Sequence, residues 1–442
     1  MSLNKKILLF SQTFNSFSGG GITLTNLFKG WPIDSIAVIS YPFMLNNASP
    51  NLCKNYYQIG REELSWKFPF SLFKQKYTSG RIALGSVKKL SVIKENTNIR
   101  NLVSTGILTP FVKWSGLDHC ISTIHLSQRL RNWLSDFVPD ILYLQISNRE
   151  SINFAIELIN YLKIPTAIHM MDDWPSTISS HGPFKVFWRK KIGKEFRMLL
   201  DKVDVHLSIS DAMSEEYFKR YGKDFKAFHN PVDLLDYSHM AKLDRSHSEK
   251  LKVLYIGRIG TANRMSLSFF AKIVSGDLLK PIEIEFDMYS KDFEAPNLKS
   301  LRKYRNVKLL PAVSHDSIFK LFQQYDLLLL PLDFTSTGIR FARLSFPTKA
   351  SEYMLSGKPI LVFAPEETAV SRFFSKNICG LCVTEESAEK IRQALNTLFY
   401  NNEYIHTLIC NADATARERF SGEKVRSEFQ NLLVHASSLI NS

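Results

Sequence analysis

The sequence predicts an α/β protein with two doubly wound, Rossmann-like domains. Short apolar runs that suit buried parallel strands alternate with amphipathic helical patterns in both halves of the chain. The length of 442 residues suggests two or three domains, each large enough for its own hydrophobic core. The longest apolar runs are far shorter than the roughly 20 residues of a transmembrane helix. We therefore expect two parallel sheets whose carboxyl edges face each other across a cleft.

The first half of the chain is expected to form one of these domains. A strand over 6–10 leads into Ser18-Gly-Gly-Gly, and a helix follows over 23–29. Further strands are predicted over 36–40, 140–145, 166–170 and 205–209, and helices over 125–137, 151–162, 184–200 and 211–221. The helix over 184–200 is basic and amphipathic, and Ser210 is expected to cap the helix after it. Residues 42–115 are less regular.

The second half repeats the alternation after a polar connection over 235–250. Strands are predicted over 251–256, 282–288, 307–309, 327–330 and 360–363, and helices over 267–274, 314–322, 348–355 and 388–400. A last helix, over 422–439, is long enough to lie across both domains. The predicted divisions are an acceptor-binding domain over 1–233, a nucleotide-sugar-binding domain over 234–420 and a C-terminal helix over 421–442.

The segment over 325–365 is the most informative part of the second half. A buried strand is followed by a loop, a helix and a second buried strand, so the helix begins at the carboxyl edge of a parallel sheet. Pro347 suits the first helical position, after Ser345 or Phe346 as the cap site, and Gly357 suits its end. Free N–H groups at such a helix start favour a phosphate.

Three residues of this helix are candidate ligands for a nucleotide. Thr348 and Lys349 lie in the first turn, where a cation adds to a phosphate site. Glu352 lies three residues after Lys349 on the same face, and its carboxylate can accept two hydrogen bonds from a ribose diol. The alternative is an ordinary βαβ unit with a solvated Lys–Glu face.

The run SFPTKASEYMLSGKPIL resembles the nucleotide-sugar signature of retaining glycosyltransferases with the GT-B fold, most like family 4. The resemblance covers nearly the whole chain and implies that Glu352 holds the nucleotide ribose and that the chain end returns to the first domain. That family places a second Glu eight positions earlier, where it contacts the donor sugar. This sequence has Leu344 there, so the resemblance assigns no residue to that contact.

Two glycine-containing motifs are candidate donor-binding segments. In YIGRIGTANR, the resemblance implies that Arg258 clamps the diphosphate, and Arg264 is expected to replace a Lys of the family. Arg340 and Arg343 are competing candidates. In SGGG, Gly20 and Gly21 can take a positive φ and permit close approach of a phosphate or sugar; a tight strand-to-helix turn is the alternative.

The segment IHMMDDWP supplies the candidate catalytic residues. Asp172 and Asp173 end a strand, and one of them is expected to orient an acceptor hydroxyl or to act as a weak base. A loop cap made by Asp is the alternative. The two aspartates are adjacent, whereas a DxD metal motif has them two apart, so no metal is predicted. The match from LSISDAM to HNPVD, over 207–233, is expected to serve architecture, with Asn230-Pro231 as a turn.

The net charge of +14 is concentrated in the first half. Residues 1–210 hold 25 Lys and Arg against 14 Asp and Glu, and the remaining residues hold 31 against 28. The excess is densest over 54–113, where aromatic residues are interleaved. This pattern predicts a surface for anionic lipid headgroups, and the residues chosen for it are Trp66, Lys74, Lys76, Lys88 and Lys89. Solubilising lysines and nucleic-acid binding are the alternatives, although no nucleic-acid-binding signature accompanies the region.

These patterns together predict a metal-independent glycosyltransferase of the hexosyltransferase type. It would move a sugar, with retention, from a UDP- or GDP-sugar to a glycan or lipid-linked acceptor in bacterial cell-envelope polysaccharide synthesis, with no cofactor besides this co-substrate. Five cysteines, an odd number, fit a reducing compartment. The expected location is cytoplasmic and peripheral on the inner face of the plasma membrane. A non-catalytic sugar-nucleotide-binding scaffold and a GT-B nucleotide-sugar epimerase are the alternative functions.

Overall fold

The computed structural model describes residues 5–68, 70–73, 77–83, 112, 114–178, 182–234 and 250–439. The chain divides into two units, of which the first consists of Met1–Phe228 and Arg426–Ser442 and the second of His229–Val425. The chain passes into the second unit after Phe228, five residues before the division predicted at 233. It returns to the first unit after Val425, five residues after the division predicted at 420.

The first unit is built on an eight-stranded sheet in the order β10-β9-β8-β7-β1-β2-β3-β5. All neighbours are parallel except the edge pair of β3 and β5. A separate antiparallel pair joins β4 and β6. The strands are β1 Ile7–Phe10, β2 Ile36–Ser40, β3 Asn55–Gln58, β4 Leu64–Trp66, β5 Gly80–Ile82, β6 Ser122–Ile124, β7 Ile141–Leu144, β8 Thr166–Met170, β9 Val205–Ser208 and β10 Lys226–Ala227.

The helices of the first unit follow the predicted alternation. They are α1 Gly19–Phe28, α2 Pro42–Leu45, α3 Gln128–Phe137, α4 Arg149–Leu162, α5 Trp174–Thr177, α6 Lys185–Leu200 and α7 Asp211–Tyr221. Side-chain caps fix several starts: Ser127 caps α3, Asn148 caps α4 and, as predicted, Ser210 caps α7. The central strands are buried on both faces, which is why they read as continuous apolar runs.

The second unit is built on a six-stranded, fully parallel sheet in the order β13-β12-β11-β14-β15-β16. Its strands are β11 Lys250–Ile256, β12 Glu283–Ser290, β13 Val307–Pro311, β14 Leu327–Pro331, β15 Ile360–Phe363 and β16 Leu381–Val383. Its helices are α8 Arg264–Val274, α9 His315–Phe322, α10 Ser336–Ala342, α11 Lys349–Met354, α12 Ala369–Asn377, α13 Ala388–Tyr400 and α14 Asn402–Arg419. The prediction of two doubly wound α/β sheets is confirmed.

The last helix, α15, covers Gly422–Leu439, and its residues from Arg426 onward belong to the first unit. Phe429 packs with its ring centroid 5.2 Å from that of Phe28 and 5.4 Å from that of Phe228. The Gln430 side-chain amide donates to the carbonyl oxygen of Leu27 at 3.1 Å. The end of the chain is thus part of the core of the first unit.

None of the helices in the described ranges is both long and apolar enough to span a bilayer.

Candidate functional site

The helix α11 begins at Lys349, two residues after the predicted first position. Thr348 already has helical φ and ψ angles, and the Ala350 amide donates to the carbonyl oxygen of Pro347 at 3.0 Å. Pro347 therefore starts the turn from outside the helix, and Thr348 takes the cap position that was expected at Ser345 or Phe346. The φ of Gly357 is +66°, the left-handed conformation expected after a helix end.

Lys349 and Glu352 form an ion pair on this helix, with Lys349 Nζ 2.9 Å from Glu352 Oε2. The Glu352 carboxylate is almost fully buried, and Lys349 is only partly exposed. A buried carboxylate is costly unless it is paired and hydrogen-bonded. The pair is therefore not the solvated Lys–Glu face of the alternative interpretation.

The segment His229-Asn230 braces the start of α11 within the second unit. Asn230 Nδ2 donates to the carbonyl oxygen of Thr348 at 3.3 Å, and Ser351 Oγ donates to the carbonyl oxygen of Asn230 at 3.3 Å. The His229 ring centroid lies 4.8 Å from that of Phe346. This segment has the architectural role that the sequence predicts for it, and it holds Lys349 and Glu352 in place through the backbone.

The loop after β11 presents Arg258 to solvent. Tyr255 Oη donates to the Arg258 carbonyl oxygen at 2.6 Å, and Asn263 Nδ2 donates to Tyr255 Oη at 2.7 Å. A Cβ on Gly257 would lie 2.9 Å from Tyr255 Oη, so glycine is needed for this packing. The fixed backbone leaves the Arg258 side chain about three-quarters exposed.

The loop after β12 adds two charged residues that the sequence did not single out. Asp292 Oδ2 accepts from the Ile259 amide at 3.1 Å and lies 3.7 Å from Arg258 Nε, so it ties the loops after β11 and β12 together. Burial, followed by Arg258 and Lys349, lowers the pKa of Lys291, while Asp292 opposes this shift. Three cations from three segments thus gather at the carboxyl edge of this sheet.

Arg264 stands at the start of α8, where a carboxylate already occupies the helix N-terminus. Asp333 Oδ1 accepts from the Ser266 amide at 2.7 Å, and Oδ2 accepts from the Met265 amide at 3.3 Å. Burial raises the pKa of Asp333, against the effects of these amides and of Arg264. Two amides in the first turn of α8 are therefore satisfied by Asp333, whose pKa the nearby charge of Arg264 also lowers.

Leu344 is fully buried. An apolar side chain in this position cannot hydrogen-bond a sugar, so any contact to a donor sugar must come from other residues.

In the first unit, Gly19, Gly20 and Gly21 form the first turn of α1 and are not a loop before it. Ser18 Oγ accepts from the Gly21 amide at 3.1 Å, which starts the helix four residues earlier than predicted. The expected positive φ does not explain these helical glycines. A Cβ on Gly21 would meet the Asn15 side chain at 2.2 Å, whereas on Gly20 the nearest atom lies 3.6 Å away.

The two candidate catalytic aspartates differ in exposure. Asp172 is exposed, whereas Asp173 is buried and its Oδ1 accepts from Tyr217 Oη at 3.1 Å and from Arg220 Nη1 at 2.9 Å. Arg220 also pairs with Glu216 at 2.6 Å. Burial and the Asp173 charge raise the pKa of Tyr217. Asp173 thus links α7 to the start of α5 inside the unit.

The residues predicted to face a membrane are mostly outside the described residues. Lys74, Lys76, Lys88 and Lys89 fall there, and Trp66 is half-buried on β4. Within the described ranges, no group of three or more His, Cys, Asp or Glu side chains is arranged to hold a metal ion.

Residues 250–401 match the family model for glycosyl transferases group 1. Solved structures are similar over nearly the whole chain. HepE of Anabaena in complex with UDP-glucose has 13% identity and a TM-score of 0.60, over 97% of this chain and 99% of that one. Sucrose-phosphate synthase from Thermosynechococcus elongatus has 12% identity and a TM-score of 0.63, over 99% and 100%.

A third similar structure is the lipopolysaccharide outer core galactosyltransferase WaaB, with 16% identity and a TM-score of 0.54 over 96% of this chain and 98% of that one. No curated protein sequence gives a significant match. The family match covers the sheet that carries Arg258, Lys291, Lys349 and Glu352, and the structural similarity covers both units. The chain therefore has the GT-B fold, and its residues 250–401 match the family model for glycosyl transferases group 1.

Proposed function

We propose that this protein is a retaining glycosyltransferase that moves a sugar from a nucleotide diphosphate sugar to a glycan or lipid-linked acceptor. The observation that carries the proposal is the Lys349–Glu352 pair at the start of α11, inside the region that matches the family. The Glu352 carboxylate is suited to accept hydrogen bonds from both hydroxyls of a ribose. Lys349 is then placed to contact the adjoining phosphates.

The cations at this edge have a chemical task in such a transfer. The bond between the anomeric carbon and the phosphate oxygen breaks, and negative charge develops on the departing nucleoside diphosphate. We propose that Arg258, Lys291 and Lys349 stabilise that charge, and such stabilisation is usually a large part of catalysis. We propose that they take the place of a divalent metal, so that the transfer needs none.

The donor and the setting are proposed from the similar proteins and from the sequence. HepE was solved with UDP-glucose and with UDP and glucose, which favours a UDP-sugar over a GDP-sugar as the donor. WaaB acts, by its name, on the lipopolysaccharide outer core, which supports a role in bacterial cell-envelope polysaccharide synthesis. We propose a hexosyl transfer at the cytoplasmic face of the membrane, as the sequence predicts.

The remaining site predictions are kept as proposals with unequal support. Gly20 lies in the first turn of α1, where a Cβ would only touch the Gln12 side chain at 3.6 Å, and we keep it as a proposed donor contact. We propose that the exposed Asp172 orients an acceptor hydroxyl. The contacts of Asp173 support a positioning role, because its Oδ1 accepts from the buried Tyr217 hydroxyl and from Arg220.

A non-catalytic sugar-nucleotide-binding protein is the second candidate function. The buried Leu344 favours this candidate, because the resembled family has a sugar-contacting carboxylate at that position. Both candidates bind a nucleotide sugar, but only the transferase releases free nucleotide faster when an acceptor is added. Nucleotide release with membrane extracts as the acceptor source separates them.

The first experiment is a thermal-shift panel of UDP, GDP, ADP and their common sugar conjugates, with and without Mg²⁺. A ligand at 100 times its dissociation constant adds about 2.7 kcal/mol to the free energy of unfolding. We expect a metal-independent rise in Tm with UDP and one UDP-sugar. A rise that requires Mg²⁺ would contradict the metal-free mechanism, and no rise with any nucleotide would contradict the donor proposal.

Glu352→Gln tests the ribose contact. The amide keeps the shape of the side chain but loses the charge, so we expect UDP binding to weaken by ~1–3 kcal/mol. Titration calorimetry measures this, and Glu403→Gln, an exposed Glu of α14, is the control with unchanged affinity. Folding is checked by circular dichroism, because Glu352 is buried. A folded Glu352→Gln protein with unchanged UDP affinity would refute the assignment.

A further inference from the structure

The helix α6 has one face in the core of the first unit and one face in solvent. The inner face packs through Trp188, Ile192, Phe196, Leu199 and Leu200, all of which are buried. The spacing of these residues matches one side of a helix with 3.6 residues per turn. Most of the remaining helical surface is exposed.

The exposed side of α6 carries cations and apolar side chains but no unpaired acid. Its cations are Lys185, Arg189, Lys190, Lys191, Lys194 and Arg197. The one acidic residue of the helix, Glu195, is partly buried, and its two carboxylate oxygens accept from Nε and Nη2 of Arg149, each at 2.6 Å. The positive charge of the exposed side is therefore not compensated within the helix.

Large apolar side chains are exposed among these cations. Phe184, Val186 and Phe187 at the start of α6 and Met198 near its end are 47–58% exposed. Trp114 is 56% exposed and belongs to a segment that touches the chain just before α6, since a Cβ on Gly182 would lie 1.8 Å from the Trp114 carbonyl oxygen. We call the exposed residues of α6, together with Phe184 and Trp114, the α6 surface.

We propose that the α6 surface docks this protein on an anionic lipid bilayer. A helix that lies in the bilayer interface has a cationic face that contacts acidic headgroups and apolar side chains that enter the headgroup–acyl boundary. Phe187 and Val186 would enter this boundary, while Lys190 and Lys194 would stay at headgroup level. The long aliphatic stems of lysine allow this arrangement.

Charge and shape favour a bilayer over nucleic acid as the partner. A single-stranded nucleic acid is usually held in a basic groove with aromatic rings on which bases stack. Most of the α6 surface is the outer side of one helix, and its apolar residues include Val186 and Met198, which offer no ring for stacking. Apolar residues of any shape gain from leaving water at a lipid interface.

The inference rests on the proposed membrane setting and gives it a surface of named residues. It differs from the sequence prediction, which placed the lipid contact within 54–113. Lipid docking by the α6 surface does not depend on a bound nucleotide. A failed flotation test would therefore leave the donor proposal standing, and a failed nucleotide-binding test would leave the docking proposal standing.

The test is flotation of the purified protein with vesicles of phosphatidylcholine alone and with added phosphatidylglycerol. We expect binding only to the anionic vesicles. Each Lys near an anionic surface contributes about fivefold to partitioning, so Lys190→Glu with Lys194→Glu should weaken binding at least about 25-fold. Phe187→Ser with Val186→Ser should weaken the part of the binding that persists at high salt, because salt screens only the charges.

The control variants carry equal changes on the second unit. Lys272→Glu with Lys299→Glu reverses two exposed lysines, and Leu278→Ser removes an exposed apolar side chain. Neither control should change flotation, and every variant should keep its nucleotide-induced rise in Tm. Equal loss in test and control variants would show a general charge effect and overturn the proposal. Retained flotation of the Lys190 and Lys194 variant would do so too, as would preferential binding of a single-stranded oligonucleotide that competes with vesicles.

Discussion

The carboxyl edges of the two sheets hold similar residues in opposite electrostatic situations. In the first unit, Asp173 is buried, and Tyr217 and Arg220 donate to it. In the second unit, Arg258, Lys291 and Lys349 gather around two carboxylates, Asp292 and Glu352, and the Arg258 side chain is largely in solvent.

This difference distinguishes charged residues that stabilise the fold from charged residues that we expect to bind a ligand. Each group in the Asp173 network has a protein partner, so its removal should cost stability. In the second unit, burial and, after it, the nearby charges of Arg258 and Lys349 lower the pKa of Lys291, and a bound anion would offset the unfavourable effect of these cations on Lys291. Substitutions at the first edge should therefore change folding, and those at the second edge should change binding.

The largest effect is expected from Asp173→Ala. The change leaves the buried Tyr217 hydroxyl without its acceptor and removes one of the two carboxylates that pair with Arg220, which keeps Glu216. It should lower the free energy of unfolding by about 3 kcal/mol. Urea denaturation followed by circular dichroism measures it. Asp172→Ala, at the exposed neighbour, should stay within about 0.5 kcal/mol of the wild type. Unchanged stability with lost activity would instead make Asp173 a catalytic residue.

A smaller effect on stability is expected at the glycines of α1. Gly21→Ala places a Cβ against the Asn15 side chain, which itself accepts from the Phe17 and Ser18 amides, so we expect a loss of about 1–3 kcal/mol. Gly20→Ala meets no such contact and should gain up to about 1 kcal/mol of helix stability. Thermal unfolding of the two variants makes a matched pair. If Gly20→Ala also lowers UDP affinity, the predicted donor contact of Gly20 is supported.

The smallest effect is expected from Lys291→Ala, at the carboxyl edge of the second unit's sheet. Lys291→Ala should weaken UDP binding by about 1 kcal/mol, less than a buried charged hydrogen bond, because Lys291 is exposed. Stability should not change measurably. Lys299→Ala, an exposed Lys of the same unit, should leave UDP affinity unaltered. Titration calorimetry with UDP distinguishes the two.

The pH dependence of this binding has a defined sign. Without ligand, the pKa of Lys291 lies below its ordinary value of 10.5, and a bound diphosphate should raise it again. UDP binding should therefore take up protons at alkaline pH, and affinity should fall as the pH rises through the lowered pKa. Arginine keeps its charge over this range, so Lys291→Arg should remove this proton uptake. Uptake that persists in Lys291→Arg would assign it to another group.

The sequence predicted the parts of the fold that depend on local pattern. The apolar runs of β11 and β14, the Ser210 cap and the αL Gly357 were all expected from residues near them in the chain. The start of α1 was missed because glycine reads as a turn, although Ser18 caps the helix and Gly21 has to pack beside Asn15. Local propensity does not contain that contact.

The residues that the sequence missed at the site depend on contacts across the sheet. Lys291 and Asp292 follow β12 without a recognisable motif, and only the pairing of β12 with β11 brings them to Arg258. Asp333 is 67 residues from Ser266, whose amide it caps. No local sequence pattern around Asp333 indicates this contact. Neighbouring strands of a parallel sheet are distant in sequence, so such a site can be predicted only when the order of the strands in the sheet is known.

The insertion of Phe429 and Gln430 into the first unit has a consequence for the order of folding. During synthesis, the strands of that unit emerge before the whole second unit, whereas the helix that covers Phe28 and Phe228 emerges after it. The core of the first unit stays incomplete in the meantime, with apolar surface that a chaperone can recognise. The late contacts also have a large sequence separation, which slows folding. The first unit therefore reaches its final packing only after the second unit has been made.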